Sequence, residues 1–403
     1  MKKLYLEFVR GTASVGVLIY HLPESWFTPT EFRRFSMTTL GTDSVILFFI
    51  LSGCVINISY SRKPGSRWDF MSRRLLRLVP QFLLGVLFGL LAAWCLGKAL
   101  PSFWQLLGNV FMVSTLQGFI VESYRVNSVV WSLSFEMFFY VIFMLTIGRF
   151  RRKAVLCWLV IALCMIPFCY HLPHIGVADH FIAMFAFSAI WLVGYYVYEY
   201  RNLFYVDGYT AAISLGTLPI LSRLTFAAQW PGVDPLKHFL FAIVAIPFFR
   251  YCIQAAPSGK KLPIFIPVLV CVGVVALFLR EPGYSLLTKV MCTLTPPGLV
   301  LLFALIHRRG FAARAVVIVN RLGAVLGKYS YSLYIVHVPI LLLCSHYFHY
   351  SVALYLLVGL SSIALLTWLM ESYFQPAVIR LFRGPAARRR ARQMSVQQGP
   401  SPG

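Results

Sequence analysis

The chain has 403 residues, 59% of them hydrophobic and 12% charged, with a mean hydropathy of +0.75 and a formal net charge of +23. Near-continuous apolar runs of about 17–20 residues recur from end to end, which excludes a soluble domain carrying one membrane helix; because the runs do not alternate, they also exclude an outer-membrane barrel. The class that remains is an all-α polytopic transmembrane helix bundle of about 10–12 spans.

Twelve spans are predicted near residues 5–22, 43–60, 79–98, 131–148, 154–171, 181–200, 207–222, 236–252, 264–280, 286–306, 326–345 and 352–375, with ten or eleven as the alternative count. The first, Leu4–Leu22, follows Met1-Lys2-Lys3 as a signal peptide would. It lacks a small-residue cleavage site and holds Arg10 in mid-segment, so it reads as a retained span. Eleven positions separate Arg10 from His21, almost three helical turns, which places both on one stripe roughly 16 Å apart. A charge in hydrocarbon costs at least about 2.5–3.5 kcal/mol, so such residues usually face a polar cavity. The plainer reading has Arg10 snorkelling to the inner interface and His21 bonded in a loop.

Asp43 opens the second span, where it can orient an imidazole or cap a helix. Ser52 and Gly53 are small enough for two helices to approach closely there. Next come Arg73, Arg74 and Arg77, read as an interfacial helix that offers Arg74 and Arg77 as a guanidinium pair to phosphates, with Pro80 opening the third span; the positive-inside rule alone also asks for Arg here. Residues 101–120 are expected to lie along or dip into the bilayer. In the fourth span Trp131 reads as an interfacial anchor, and Glu136 needs a partner, with Arg10 and His21 the candidates. The seventh and eighth spans are short, and the eighth contains Pro247. Ser330, Tyr334 and His337 share a face of the eleventh span, and Glu371 sits near the end of the twelfth. His171, His174, His180, His346 and His349 read as solvated loop residues, and the nine cysteines lack a CxxC pair, so no metal site is expected.

With the N-terminus inside, cytoplasmic segments and their flanks hold about 27 of the 36 Lys and Arg, which puts both termini in the cytoplasm. The basic run Arg388–Arg390, with Arg380, Arg383 and Arg392, then meets anionic lipid rather than nucleic acid. The expected organisation is one transmembrane domain over 1–380, no fused soluble domain, and a basic, disordered cytoplasmic tail over 381–403.

Five motifs occur in order: R-x10-H in the first span, G-x-D-x4-FF-x-LSG in the second, R-x-x-R-x-x-P before the third, then W-S-L-x-x-E and Y-S-L-Y-x-x-H. Together they resemble the acyltransferase-3 family of integral-membrane carbohydrate O-acyltransferases, densely over 4–140 and again over 326–376. The chain departs at Thr42, where Val is usual, and at Cys54, where an aromatic residue often follows LSG. The resemblance implies transfer of an acyl group, commonly acetyl, from acyl-CoA to a hydroxyl of a cell-surface or exported carbohydrate. It implies His21 as the essential base, Arg10 as its paired basic residue, Asp43 and Glu136 as acidic site residues, His337 as the late motif histidine, and Arg74 and Arg77 as holding coenzyme A. Acyl-CoA is then a donor substrate, with no permanently bound cofactor. The partners are a carbohydrate or glycolipid acceptor and membrane lipids, and the location is a bacterial-type inner membrane. The rival reading is a secondary transporter of a small polar solute or glycoside, which calls for related halves or matching broken spans that this sequence does not display.

Overall fold

The computed structural model describes residues 3–22, 39–115, 118, 120–171, 176–226, 234–254, 256–308 and 312–382. Trp26, His174, Trp230 and the expected tail from Arg383 onward, the Arg388–Arg390 run included, lie outside the described residues, whereas Leu381 and Phe382, also assigned to that tail, are the last residues of a helix. The helices in chain order are α1 (Lys3–His21), α2 (Leu40–Arg62), α3 (Arg67–Cys95), α4 (Phe103–Val110), α5 (Trp131–Thr146), α6 (Arg151–His171), α7 (Val177–Glu199), α8 (Gly208–Leu221), α9 (Pro235–Val244), α10 (Ile246–Ile253), α11 (Phe265–Arg280), α12 (Leu286–Thr293), α13 (Thr295–Arg308), α14 (Ala312–Tyr347), α15 (Val352–Leu369) and α16 (Gln375–Phe382). A 3-10 turn (Arg125–Val130) leads into α5, and a π-turn (Met370–Phe374) joins α15 to α16. Two parallel pairs of two-residue strands, Ser114–Thr115 with Val121–Glu122 and Phe204–Tyr205 with Lys260–Lys261, complete the described elements.

Eight helical segments are long and apolar enough to cross a membrane, or nine if the bent pair α9–α10 is one span. That pair bends by 45° beside Pro247, which has no N–H to offer the preceding turn. Helix α1 and the shorter apolar helices α8 and α11 fill the remaining expected positions, so each of the twelve apolar runs is helical. The third span differs from expectation. Arg74 and Arg77 do not sit on a separate interfacial helix, because α3 runs unbroken from Arg67 to Cys95 with Pro80 inside it. It starts early because Ser66 and Asp69 form a capping box: the Ser66 hydroxyl accepts from the Asp69 N–H at 3.1 Å, and the Asp69 carboxylate accepts from the Ser66 N–H at 3.2 Å.

Close helix contacts fix the frame around the site. Helices α2 and α7 meet at two glycines: a Cβ on Gly53 would lie 1.9 Å from the Trp191 carbonyl oxygen, and one on Gly194 would lie 1.8 Å from that of Ile50. Only hydrogen fits at either position, as small-residue packing in membranes predicts. Phe49, Phe135, Phe139, Phe143, Phe187 and Trp191 pack around this crossing in edge-to-face and tilted pairs. Trp131 belongs to the same core, 8% exposed against Phe135, and is not an interfacial anchor. Helix α1 packs along α14, and a Cβ on Gly11 would strike Leu326 at 2.3 Å.

Candidate active site

Helices α1, α2, α3, α5 and α14 enclose a cavity of about 780 Å³, its open mouth included. Its polar lining is Arg10, Ser52, Arg74, Arg77, Glu136 and Tyr140, with Ser132, Ser330, Tyr331 and Tyr334 behind them. Three of these helices, α1, α3 and α5, thus bring Arg10, Arg74, Arg77 and Glu136 into one chamber.

Helical spacing sets the acidic corner. Glu136 and Tyr140 are four residues apart on α5, so their side chains stack on one face, and the Tyr140 hydroxyl donates to Glu136 Oε1. The Ser52 hydroxyl donates to the same oxygen at 3.0 Å and accepts from Trp191 Nε1 at 3.2 Å. Glu136 is therefore held by two hydroxyls, and no ion pair with Arg10 forms. Arg10 instead pairs along its own helix, with Nη1 2.8 Å from Glu7 Oε2. The two groups still share the cavity and lie within electrostatic reach of each other.

The cationic wall is under-compensated. Arg74 lies between the rings of Phe70 and Tyr140, 5.8 and 5.9 Å from their centroids, and its buried Nε has no hydrogen-bond partner. Arg77 is exposed at the mouth. Neither arginine makes an ion pair among the described residues. Three guanidinium groups against Glu136 in the cavity, with Glu7 beside Arg10, leave a net positive chamber suited to an anion.

The histidines sit apart from this chamber. His21, at the end of α1, and the fully buried His337 of α14 face each other, with His21 Nδ1 3.3 Å from His337 Nε2 and ring centroids 5.1 Å apart. His21 Nδ1 lies 2.9 Å from the Val17 carbonyl, and His337 Nδ1 lies 3.1 Å from that of Leu333. A carbonyl oxygen only accepts, so in the neutral rings both Nδ1 atoms carry the proton. That tautomer leaves the His21 lone pair on Nε2 and makes His337 Nε2 an acceptor towards His21. Tyr334 belongs to both regions: it lines the cavity, stands 6.1 Å from the His337 ring and 5.8 Å from Phe48, and donates its hydroxyl to the Val129 carbonyl at 2.7 Å.

Asp43 takes hydrogen bonds from Thr39 and Ser222, near Arg223, rather than orienting an imidazole. His180 is buried at the start of α7, not solvated, while His346 and His349 are exposed. Five of the nine cysteines are buried, but Cys95, Cys157 and Cys164 are exposed on helix surfaces. Sequence reasoning missed Tyr140 and Glu7, although each stands within four residues of its partner on the same helix. It also passed over Gln81, Ser332 and Gln375, whose partners are distant in sequence.

The fold and the chamber define a multi-pass helical membrane protein whose helices converge on a buried, cationic polar site. A family model described as an acyltransferase domain matches residues 3–371. The chain therefore belongs to the acyltransferase-3 family, and it is a membrane acyltransferase. Comparisons with curated proteins and with solved structures gave no match.

Proposed function

We propose that the protein transfers an acyl group, acetyl in the simplest case, from acyl-CoA to a hydroxyl of a cell-surface or exported carbohydrate, in a bacterial-type inner membrane with both termini cytoplasmic. The observation that carries this reading is the half-buried Arg74, which makes no ion pair among the described residues and has an unpartnered Nε, set in one chamber with Arg10 and Arg77. Coenzyme A presents phosphates, and guanidinium forks match phosphate oxygens bidentately.

In this reading Arg74 and Arg77 hold the donor's phosphates at the inner mouth. Arg10 and His21 stand on one face of α1, eleven residues and about 16 Å apart, comparable to the reach of an extended pantetheine arm. The arm passes Tyr334 and Phe48 and brings the thioester to His21. His21 Nε2 takes the proton of the acceptor hydroxyl, whose oxygen attacks the thioester carbonyl carbon. The tetrahedral intermediate collapses by breaking the C–S bond, and the imidazolium returns its proton to the departing thiolate. The products are the ester and free coenzyme A. His337 fixes the His21 ring, Glu136 supplies fixed countercharge to Arg10 and Arg74, and Asp43 lies on the acceptor side.

Purified protein in lipid nanodiscs, given acetyl-CoA and a panel of simple glycosides, should release coenzyme A thiol in an acceptor-dependent way, and His21→Ala should abolish this. Acceptor-dependent turnover by His21→Ala at near wild-type rate would remove His21 as the base.

A further inference from the structure

The proline inside α3 leaves a gap that another helix fills. Pro80 has no N–H, so the carbonyl four residues earlier, Leu76, loses its helical donor. The donor comes from Gln375, the first residue of α16: its side-chain Nε2 lies 2.9 Å from the Leu76 oxygen and 3.4 Å from that of Arg77. Gln375 is 7% exposed, so water does not substitute for it freely. The next carbonyl, Leu78, accepts from the Tyr331 hydroxyl at 2.9 Å. One turn before Gln375, Glu371 in the π-turn accepts from Gln81 Nε2 at 3.2 Å and from the Ser332 hydroxyl at 2.9 Å. Inserted residues of this kind recur at functional sites. Here the π-turn aligns Glu371 and Gln375 on the stretch of α3 from Leu76 to Gln81, directly after Arg74 and around Arg77.

We propose that Gln375 is a positioning residue for the acyl donor: by replacing the hydrogen bond that Pro80 forgoes, it fixes the turn of α3 that carries Arg74 and Arg77. The inference rests on the donor reading of that arginine pair and adds the residue that holds the pair in place.

Five variants test it in nanodiscs, with donor and acceptor titrated separately: Gln375→Leu, Gln375→Asn, Pro80→Ala, the Gln375→Leu/Pro80→Ala double variant, and Arg74→Ala as reference. Gln375→Leu should raise the donor KM about 2- to 10-fold, the scale of one neutral hydrogen bond, with kcat and acceptor KM unchanged. Pro80→Ala restores the backbone N–H to Leu76, so the double variant should return to the donor KM of Pro80→Ala alone. Gln375→Asn, too short to reach, should behave as Gln375→Leu and guards against a packing artefact. Multiplying effects in the double variant, an equal fall in all kinetic constants for Gln375→Leu, or a donor KM shift in Pro80→Ala as large as that in Gln375→Leu would each overturn the proposal. If Arg74→Ala leaves donor KM unchanged, the donor reading itself fails. If Arg74→Ala raises it and Gln375→Leu does not, only the positioning role fails.

Discussion

Arg74→Ala should be the most informative single change in the cavity. The Arg74 guanidinium is partly buried between two aromatic rings, lacks an ion pair among the described residues and has an unpartnered Nε, so the rings and the more distant Glu136 offset its desolvation only in part until an anion arrives. A charge-assisted contact to a phosphate is worth about 1.5–3 kcal/mol, which corresponds to a rise in donor KM of roughly 10- to 150-fold. Arg77, exposed at the mouth, forms a solvent-screened contact, and Arg77→Ala should raise donor KM only a few-fold. Arg74→Lys keeps the charge but loses the planar fork and should fall between wild type and Arg74→Ala. The assay is thiol release against acetyl-CoA concentration at saturating acceptor, repeated against acceptor at saturating donor. An Arg74→Ala variant with unchanged donor KM, or with equal losses on both substrates, would refute the assignment of this wall to the donor.

Other outcomes follow from the same geometry. Tyr140→Phe removes one of the two hydroxyls on Glu136 and should lower thermal stability in detergent by about 1.5–3 kcal/mol, whereas a melting curve identical to wild type would contradict this hydrogen bond's contribution. Gly53→Ala, forced against the Trp191 carbonyl, should destabilise by about 1–3 kcal/mol, while Gly273→Ala on α11, where nothing lies within 4 Å, should be neutral or mildly stabilising. Cysteine labelling tests the direction of α3, about 43 Å long and thus able to cross a hydrocarbon core of about 30 Å: Lys63→Cys and Lys98→Cys should react from opposite faces, and labelling from one face would break the topology.

The sequence was most legible where a local rule decides the outcome. Long apolar runs became helices, and the small pair Ser52-Gly53 marked a close helix crossing as its size implies. The expense of a charge in lipid pointed to a polar cavity for Arg10 and to a need for company at Glu136, and both line one chamber; that Arg74 and Arg77 line it too was not foreseen, because they read as an interfacial pair, and His21, expected beside Arg10, stands outside it. Pairing inside the chamber was less legible. Arg10 found Glu7 one turn away rather than Glu136 across the bundle, since an intrahelical partner costs no register between helices. Pro80 suggested a helix start, and nothing local shows that Gln375, nearly 300 residues later, supplies the missing donor. The contact of His21 with His337 is likewise long-range, created by the packing of α1 along α14.

Helix α1 carries Arg10 and His21 with no break between them, and its rotational phase is locked on two sides: Gly11 is pressed against Leu326, and a Cβ on Gly16 would meet the Ser44 hydroxyl at 2.5 Å. The helix thus works as a ruler whose graduations are angular as well as linear. One residue inserted between Gly16 and His21 would lengthen it by only about 1.5 Å but swing the imidazole about 100° around the axis, away from His337. Lengthening by a whole turn would restore the azimuth while moving the imidazole about 5.4 Å along the axis, away from its present level beside His337. Depth and direction cannot both be preserved by any insertion, so under the proposed reaction the eleven-residue interval would tie the length of the donor's arm to the place where the acyl group is handed over.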